Sequence, residues 1–425
     1  MWKVVSTSRE GFSSSMLGDD EFDVTEKLNR FFIDSVDELA SSIPAPLGSS
    51  ADVHMGSDDC IETELIQKYG YPSEIHEVTT EDEYILTLYR IPHGRQGSGI
   101  NSKPILLMHG LFGQAENYVV SGMFNGSLAY LLADNGFDVW LGNTRGNMHC
   151  RRHKRLDPNT KSFWNFSWHE MGMFDLPASI DYVLEKTKTL KLYYIGHSQG
   201  GTIFYIMSSL KPNYQKKIIL ASLLAPAGYF NNFNHPFIDP IIKFVKNMYQ
   251  VLIDTMYEFP PKSMGLTNLV TNVCEGISFR DLCARVYNML IGDSSDRVKK
   301  DLLPLVLKNL PTVSIKQPLH YGQVRMSGHF RPWDYGKQKN FEIYGTEEPP
   351  DYPIKSIKVP IAIYHSVGDN MVNPKDIENI CNDLPNCVRR FLVEKPSFNH
   401  ADFIYDGTDQ LNIPILEFMK NFNGS

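Results

Sequence analysis

The sequence predicts an α/β fold, a mostly parallel sheet with helices on both faces, interrupted by an inserted helical cap. Three observations predict it. Short continuous apolar runs such as Pro104–His109 (PILLMH) and Lys191–His197 (KLYYIGH) read as strands buried on both faces. Stretches of helical period follow them, as in βα units. The rhythm then stops from Tyr229 to Lys355 and resumes afterwards. The 425-residue chain therefore divides into an N-terminal extension (1–57), a first core part (58–228), a cap insertion (229–355) and a second core part (356–425).

The elements follow in order. Residues 1–57 scatter Ser, Asp and Glu, and from Ser35 to Ser57 read as a poorly ordered linker. They contain no apolar run of about 7–15 residues behind a charged start, so no ordinary secretory signal is visible. The folded part is expected to begin near Cys60. Glu74–Thr80 and Tyr84–Pro92 alternate around Glu81-Asp82-Glu83, which predicts a hairpin. After the strand Pro104–His109 comes a helix over Ser127–Asn135, ended by Gly136, and then the strand Phe137–Asn143. Glu170–Lys186 carries apolar residues at Met173, Leu176, Ile180, Val183 and Leu184, the spacing of a helix. Lys191–His197 is a strand, a helix runs on to about Leu210, and Ile218–Ala225 is a strand. Beyond the insertion, Pro360–His365, Pro374–Asp383, Val388–Glu394 and Ile413–Phe422 read as strand, helix, strand and helix.

Composition narrows the function. Apolar residues at 42% suffice for a large core, and a formal charge of −8 speaks against a duplex nucleic-acid binder, which needs a basic surplus. No stretch approaches the roughly 18 apolar residues of a spanning helix. Six cysteines allow one to three disulfides without making a disulfide scaffold.

The strongest chemical signal is Gly196-His197-Ser198-Gln199-Gly200, a G-x-S-x-G. The bare pattern arises by chance roughly 0.15 times in a chain this long. Its place between an apolar strand and a helix is the informative part. There the chain must turn sharply and expose the middle side chain, and flanking glycines remove the Cβ atoms that would clash. A serine nucleophile needs a base and an orienting acid. The histidines after Ser198 are His235, His320, His329, His365 and His400. His400 alone lies just past the last strand; His365 falls inside a strand and the other three in the insertion. Asp369, after the strand Pro360–His365, holds the loop position expected of the acid, with Asp376 and Asp402 as rivals. The oxyanion donors are expected to be the backbone N–H groups of Gln199 and of Leu111, in His109-Gly110-Leu111-Phe112-Gly113. Neither His109 nor the cluster His149-Cys150-Arg151-Arg152-His153 reads as a metal site: the first has a structural job at a strand end, and the second reads as a solvated polar loop.

Together with these motifs, Gly70-Tyr71-Pro72, Leu128–Gly146 (LAYLLADNGFDVWLGNTRG), Asp334-Tyr335-Gly336, Asp369–Pro374 and Phe398–Phe403 resemble the acid lipase family of α/β-hydrolases. The resemblance runs from about residue 60 to residue 422. It implies a capped hydrolase acting on triacylglycerols or sterol esters, with Ser198 as nucleophile, Asp369 as acid, His400 as base, Leu111 and Gln199 as oxyanion donors, and no metal or organic cofactor. It further implies a disulfide between Cys274 and Cys283, a glycan at Asn125 and a secreted or lysosomal protein; Asn165, in Asn165-Phe166-Ser167, is a glycosylation sequon by sequence alone. In two places the chain departs from the family pattern. The usual D-G-Y hairpin turn reads Asp82-Glu83-Tyr84, so another turn type is expected, and Gly201 stands where Thr is common. The expected partner is a lipid ester at a lipid–water interface. The alternatives are a short-chain esterase or thioesterase on the same fold, or a non-catalytic lipid carrier.

Overall fold

In the computed structural model, described for residues 60–97, 103–121, 127–260, 280–293, 310–406 and 410–422, the apolar runs form strands β1 (Glu74–Thr79), β2 (Tyr84–Ile91), β3 (Lys103–Met108), β4 (Phe137–Gly142), β5 (Arg152–His153), β6 (Leu192–His197), β7 (Ile218–Leu224), β10 (Ile361–Ser366) and β11 (Cys387–Val393). Among the described residues they make one sheet in the order β1-β2-β4-β3-β6-β7-β10-β11, with β5 paired to β2. All pairs from β4 to β11 are parallel, while β1, β2 and β5 form the antiparallel end. The short strands β8 (Glu258–Phe259) and β9 (Val313–Ser314) pair separately within the insertion.

Alternation along each parallel strand divides the core into two layers. Leu106, Met108, Tyr194 and Ile363 face one layer, which holds Ile180, Val183, Ile203, Ile206 and Ile377 from the helices Leu176–Thr187, Gln199–Leu210 and Pro374–Asp383. Ile105, Leu107, Ile195 and Tyr364 face the other, against Leu128, Leu132, Ile415 and Met419 of the helices Leu128–Asp134 and Asn412–Asn421. Every residue of β4 and β6 is buried, which is why these strands read as largely apolar, with Asp138 of β4 paired to Arg90.

Two expectations are corrected, those for Glu170–Lys186 and for 149–153, while the hairpin turns without a glycine. Glu83 takes the left-handed conformation (φ 74°), and its N–H donates to the Thr80 carbonyl at 2.9 Å, the geometry of a three-residue loop with a bulge. The helix expected over Glu170–Lys186 is not uniform. Met171–Asp175 forms a π-turn before the α-helix Leu176–Thr187, because Pro177 has no N–H to donate to the Met173 carbonyl. Nor is 149–153 a solvated loop throughout. His149 and Cys150 are buried, and Arg151 donates to Glu258 and Thr312 of the insertion at 2.9 and 2.8 Å.

The insertion between β7 and β10 contains the helices Ile238–Val245, Tyr249–Thr255, Arg280–Ile291, Lys316–Ser327 and Lys337–Tyr344. Its helix Lys316–Ser327 docks on the helix Gln199–Leu210 through residues one turn apart. Gln317 accepts from the Gln199 side-chain amide at 2.9 Å, and Tyr321 hydrogen-bonds Thr202 at 2.8 Å. No described helix is long and apolar enough to cross a membrane.

Candidate active site

Ser198 follows β6 and caps the helix Gln199–Leu210 with φ 50° and ψ −113°, a conformation costing of order 1–3 kcal/mol for a non-glycine residue. The backbone around it imposes that turn. The Ser198 N–H donates to the Leu224 carbonyl at 2.9 Å, and the Ser198 carbonyl accepts from Gly201 and Ala227 at 2.8 and 3.2 Å. The neighbouring glycines are required by space. A Cβ on Gly200 would stand 2.5 Å from the Met108 carbonyl oxygen, one on Gly196 2.7 Å from the Gly200 carbonyl, and one on Gly110 2.9 Å from the Ser198 Cβ. Gly201 is equally confined, its Cβ position lying 2.4 Å from the Pro226 Cβ.

Asp369 lies in the loop after β10 and His400 after β11, as expected. The His400 Nδ1–H donates to Asp369 Oδ2 at 2.8 Å, while Asp369 Oδ1 accepts from the Met371 and Val372 N–H groups at 2.7 and 3.0 Å. The carboxylate is buried and fixed on both oxygens. With Nδ1 donating, Nε2 of the neutral ring is left as the basic nitrogen. The rivals are engaged elsewhere. Asp376 accepts from the backbone N–H of Asn232, and Asp402 accepts from the Asn399 N–H at 2.7 Å. His235 bonds the Leu290 carbonyl, and His320 stacks on Trp168 with ring centres 3.6 Å apart. His329 pairs with Asp351, and His365 is buried in β10.

Leu111 follows Gly110 in a turn after β3, closed by the Gly113 N–H donating to the Gly110 carbonyl at 3.0 Å. β3 and β6 are neighbours with Met108 opposite Gly196, so this turn and the serine elbow leave the same sheet edge side by side. The Gln199 N–H belongs to the first helical turn, where amides lack intrahelical acceptors. His109 has no lone pair left for a metal. Its Nδ1–H donates to the Gly110 carbonyl at 2.8 Å, its Nε2 accepts from the Thr144 N–H at 3.2 Å, and burial pushes its pKa down to about 4. Among the described residues no cluster of His, Cys, Asp and Glu could hold a metal ion.

Other predicted positions divide. Asn125 and Cys274 lie outside the described residues; Cys283 is disulfide-bonded. Asn165 is exposed, and its side-chain oxygen accepts from Lys316 at 3.2 Å. Sequence reasoning missed the bridge Cys381–Cys387, which joins the end of the helix Pro374–Asp383 to the start of β11. Their spacing across a predicted helix–strand turn was the available signal. It also missed Gln317 and His197, whose contacts arise from residues far away in the chain.

The parallel sheet, the strained serine after β6 and the Asp–His pair on later strand ends together define an α/β-hydrolase. Family comparisons agree: residues 63–122 match the partial alpha/beta-hydrolase lipase region, and residues 103–267 match the alpha/beta hydrolase fold. A solved structure from Sulfolobus solfataricus, described as a proposed lipase, shares the fold at TM-score 0.55 and 16% identity, covering 83% of this chain and 94% of that one. The chain is 41% identical to Lipase 1 of Drosophila melanogaster over 80% of its own length and 75% of that protein's. It is 38% identical to human Lipase member K, covering 84% of this chain and 91% of the relative. To human gastric triacylglycerol lipase it is 34% identical, covering 86% and 92%. The chain belongs to the acid lipase family, and it is an ester hydrolase of the lipase kind.

Proposed function

We propose that this protein hydrolyses carboxylic esters of neutral lipids, triacylglycerols or sterol esters, through an acyl-enzyme on Ser198. The observation that carries the reading is the Asp369–His400 pair held 2.8 Å apart on the sheet edge that also exposes Ser198. His400 Nε2 takes the hydroxyl proton as Ser198 Oγ bonds to the ester carbonyl carbon. The Leu111 and Gln199 N–H groups hold the tetrahedral oxyanion. The C–O bond to the alcohol then breaks, with His400 returning the proton to that alcohol. Water, deprotonated by His400, attacks the acyl carbon; the bond from that carbon to Ser198 Oγ then breaks, His400 returns the proton to Oγ, and the acid leaves.

The surroundings of the oxyanion turn bear on the substrate class. Phe112 meets Phe259 of the insertion edge to face, ring centres 6.0 Å apart. Such walls favour an acyl chain, each buried CH₂ contributing up to about 0.8 kcal/mol. kcat/KM is therefore expected to rise over several added carbons in an ester series from C2 to C18 presented in mixed micelles. A profile peaking at C2 would overturn the lipase reading in favour of a short-chain esterase.

The compartment is inferred from Cys381–Cys387, the bonded Cys283 and the exposed Asn165 sequon, which suit the oxidising secretory route to the cell exterior or lysosome. Native protein is expected to shift in mobility after glycosidase treatment and to show no free thiol at Cys381 or Cys387. An unshifted cytosolic protein with both thiols reduced would remove this assignment.

A further inference from the structure

His400 is gripped by its backbone as well as by its ring. On one side the His197 Nε2–H donates to the His400 carbonyl at 2.8 Å. His197 is buried, and its ring centre stands 4.9 Å from that of His400. On the other side the His400 N–H donates to the carbonyl of Ile291, at 3.4 Å, the last residue of the helix Arg280–Ile291. The next residue, Gly292, accepts from the Asn399 side-chain amide at 2.9 Å. Gly292 is wedged where no side chain fits. At φ +102°, a Cβ would lie 2.3 Å from the Gly368 carbonyl oxygen and 3.0 Å from the Asn399 Cβ. Gly368 and Asn399 directly precede Asp369 and His400 in the chain. One residue of the insertion thus packs against both the acid loop and the base loop. The helix end is itself anchored, since the His235 Nε2–H donates to the Leu290 carbonyl at 2.7 Å.

We propose that His197 and the helix end Ile291–Gly292 form a backbone clamp that sets the position of His400, making His197 and Gly292 positioning residues for the reaction. The proposal rests on His400 being the base. The bond to Asp369 fixes how the ring turns but does not by itself fix the backbone that carries it. A drift of about 1 Å in a reacting group can cost about 10²-fold in rate. His197 removes that freedom by tying the base to the residue next to the nucleophile, so that the two move together. Burial keeps the His197 pKa well below the usual histidine range, so it remains a neutral donor beside a ring that becomes cationic during turnover. By the same geometry the insertion helps to position the base.

The test compares H197F, H197Q and G292A with wild type in kcat, KM and the rate at which a fluorophosphonate labels Ser198. H197F is expected to lose about 10- to 100-fold in kcat and in labelling rate, with KM changed less than twofold. H197Q keeps a side-chain N–H donor and is expected to recover most of the loss. G292A is expected to lose kcat to a similar extent. A folded H197F with wild-type kcat and labelling would overturn the clamp. Should H197F fail to fold, a fully active G292A would overturn it equally. Wild-type protein that neither turns over esters nor takes the label would remove the triad assignment instead, and the clamp with it.

Discussion

Replacing Ser198 by alanine is expected to lower kcat by on the order of 10⁴ or more while leaving the melting temperature within a few degrees of wild type. The size follows from losing the covalent route, since His400 and the oxyanion turn then have no nucleophile to serve. The stability expectation follows from the elbow. The bonds that hold it are backbone ones, to Leu224, Gly201 and Ala227, and alanine keeps all of them. A fluorophosphonate should label wild type at Ser198 and leave the variant unlabelled. Esterase activity surviving at wild-type level in S198A would mean that another group does the chemistry.

The largest effect on stability is expected at Arg145, in the loop after β4. Its side chain is 1% exposed and donates to Asp175, itself fully buried, at 2.7 Å and to Asp82 at 2.6 and 2.8 Å, while its guanidinium lies 4.0 Å from the centre of the Tyr84 ring. R145M would strand the Asp175 carboxylate without a counter-charge. Breaking a buried pair from one side costs about 3–5 kcal/mol, because the remaining charge stays desolvated. Adding D175N removes that charge and is expected to restore part of the loss. Urea unfolding midpoints of R145M and R145M/D175N decide the point: a double variant no more stable than R145M would show that the stranded charge is not the source of the penalty.

How much of this was legible in the sequence depends on the range of the interactions involved. Strands such as β4 and β6 are buried on both faces, so their composition alone declares them, and the sheet followed. Ser198, Asp369 and His400 could be ordered because each sits at a strand end that the pattern already marked. The left-handed Glu83 was not legible, since propensity disfavours a left-handed glutamate and the strand pairing on either side overrides it. The π-turn was missed because apolar spacing does not register one extra residue in a helical turn. His197 carries no signal of its own beyond its place inside the motif. Its contact with His400 joins residues 203 apart in the chain, a pairing that only the closed sheet creates.

The tight fit of Gly201 against Pro226 bears on how this sequence can change over time. The Cβ position at residue 201 lies 2.4 Å from the Pro226 Cβ and 2.9 Å from its Cα, so the obstacle includes backbone and cannot swing away. The threonine common at that position in the family brings a branched Cβ, and it has no room while Pro226 stays where it is. The two positions therefore form an ordered pair: the segment bearing Pro226 must move first, and only then does residue 201 regain its freedom to vary. The chain thus carries a ratchet beside Ser198, in which the smaller residue is easily kept and a branched one is closed to any single exchange.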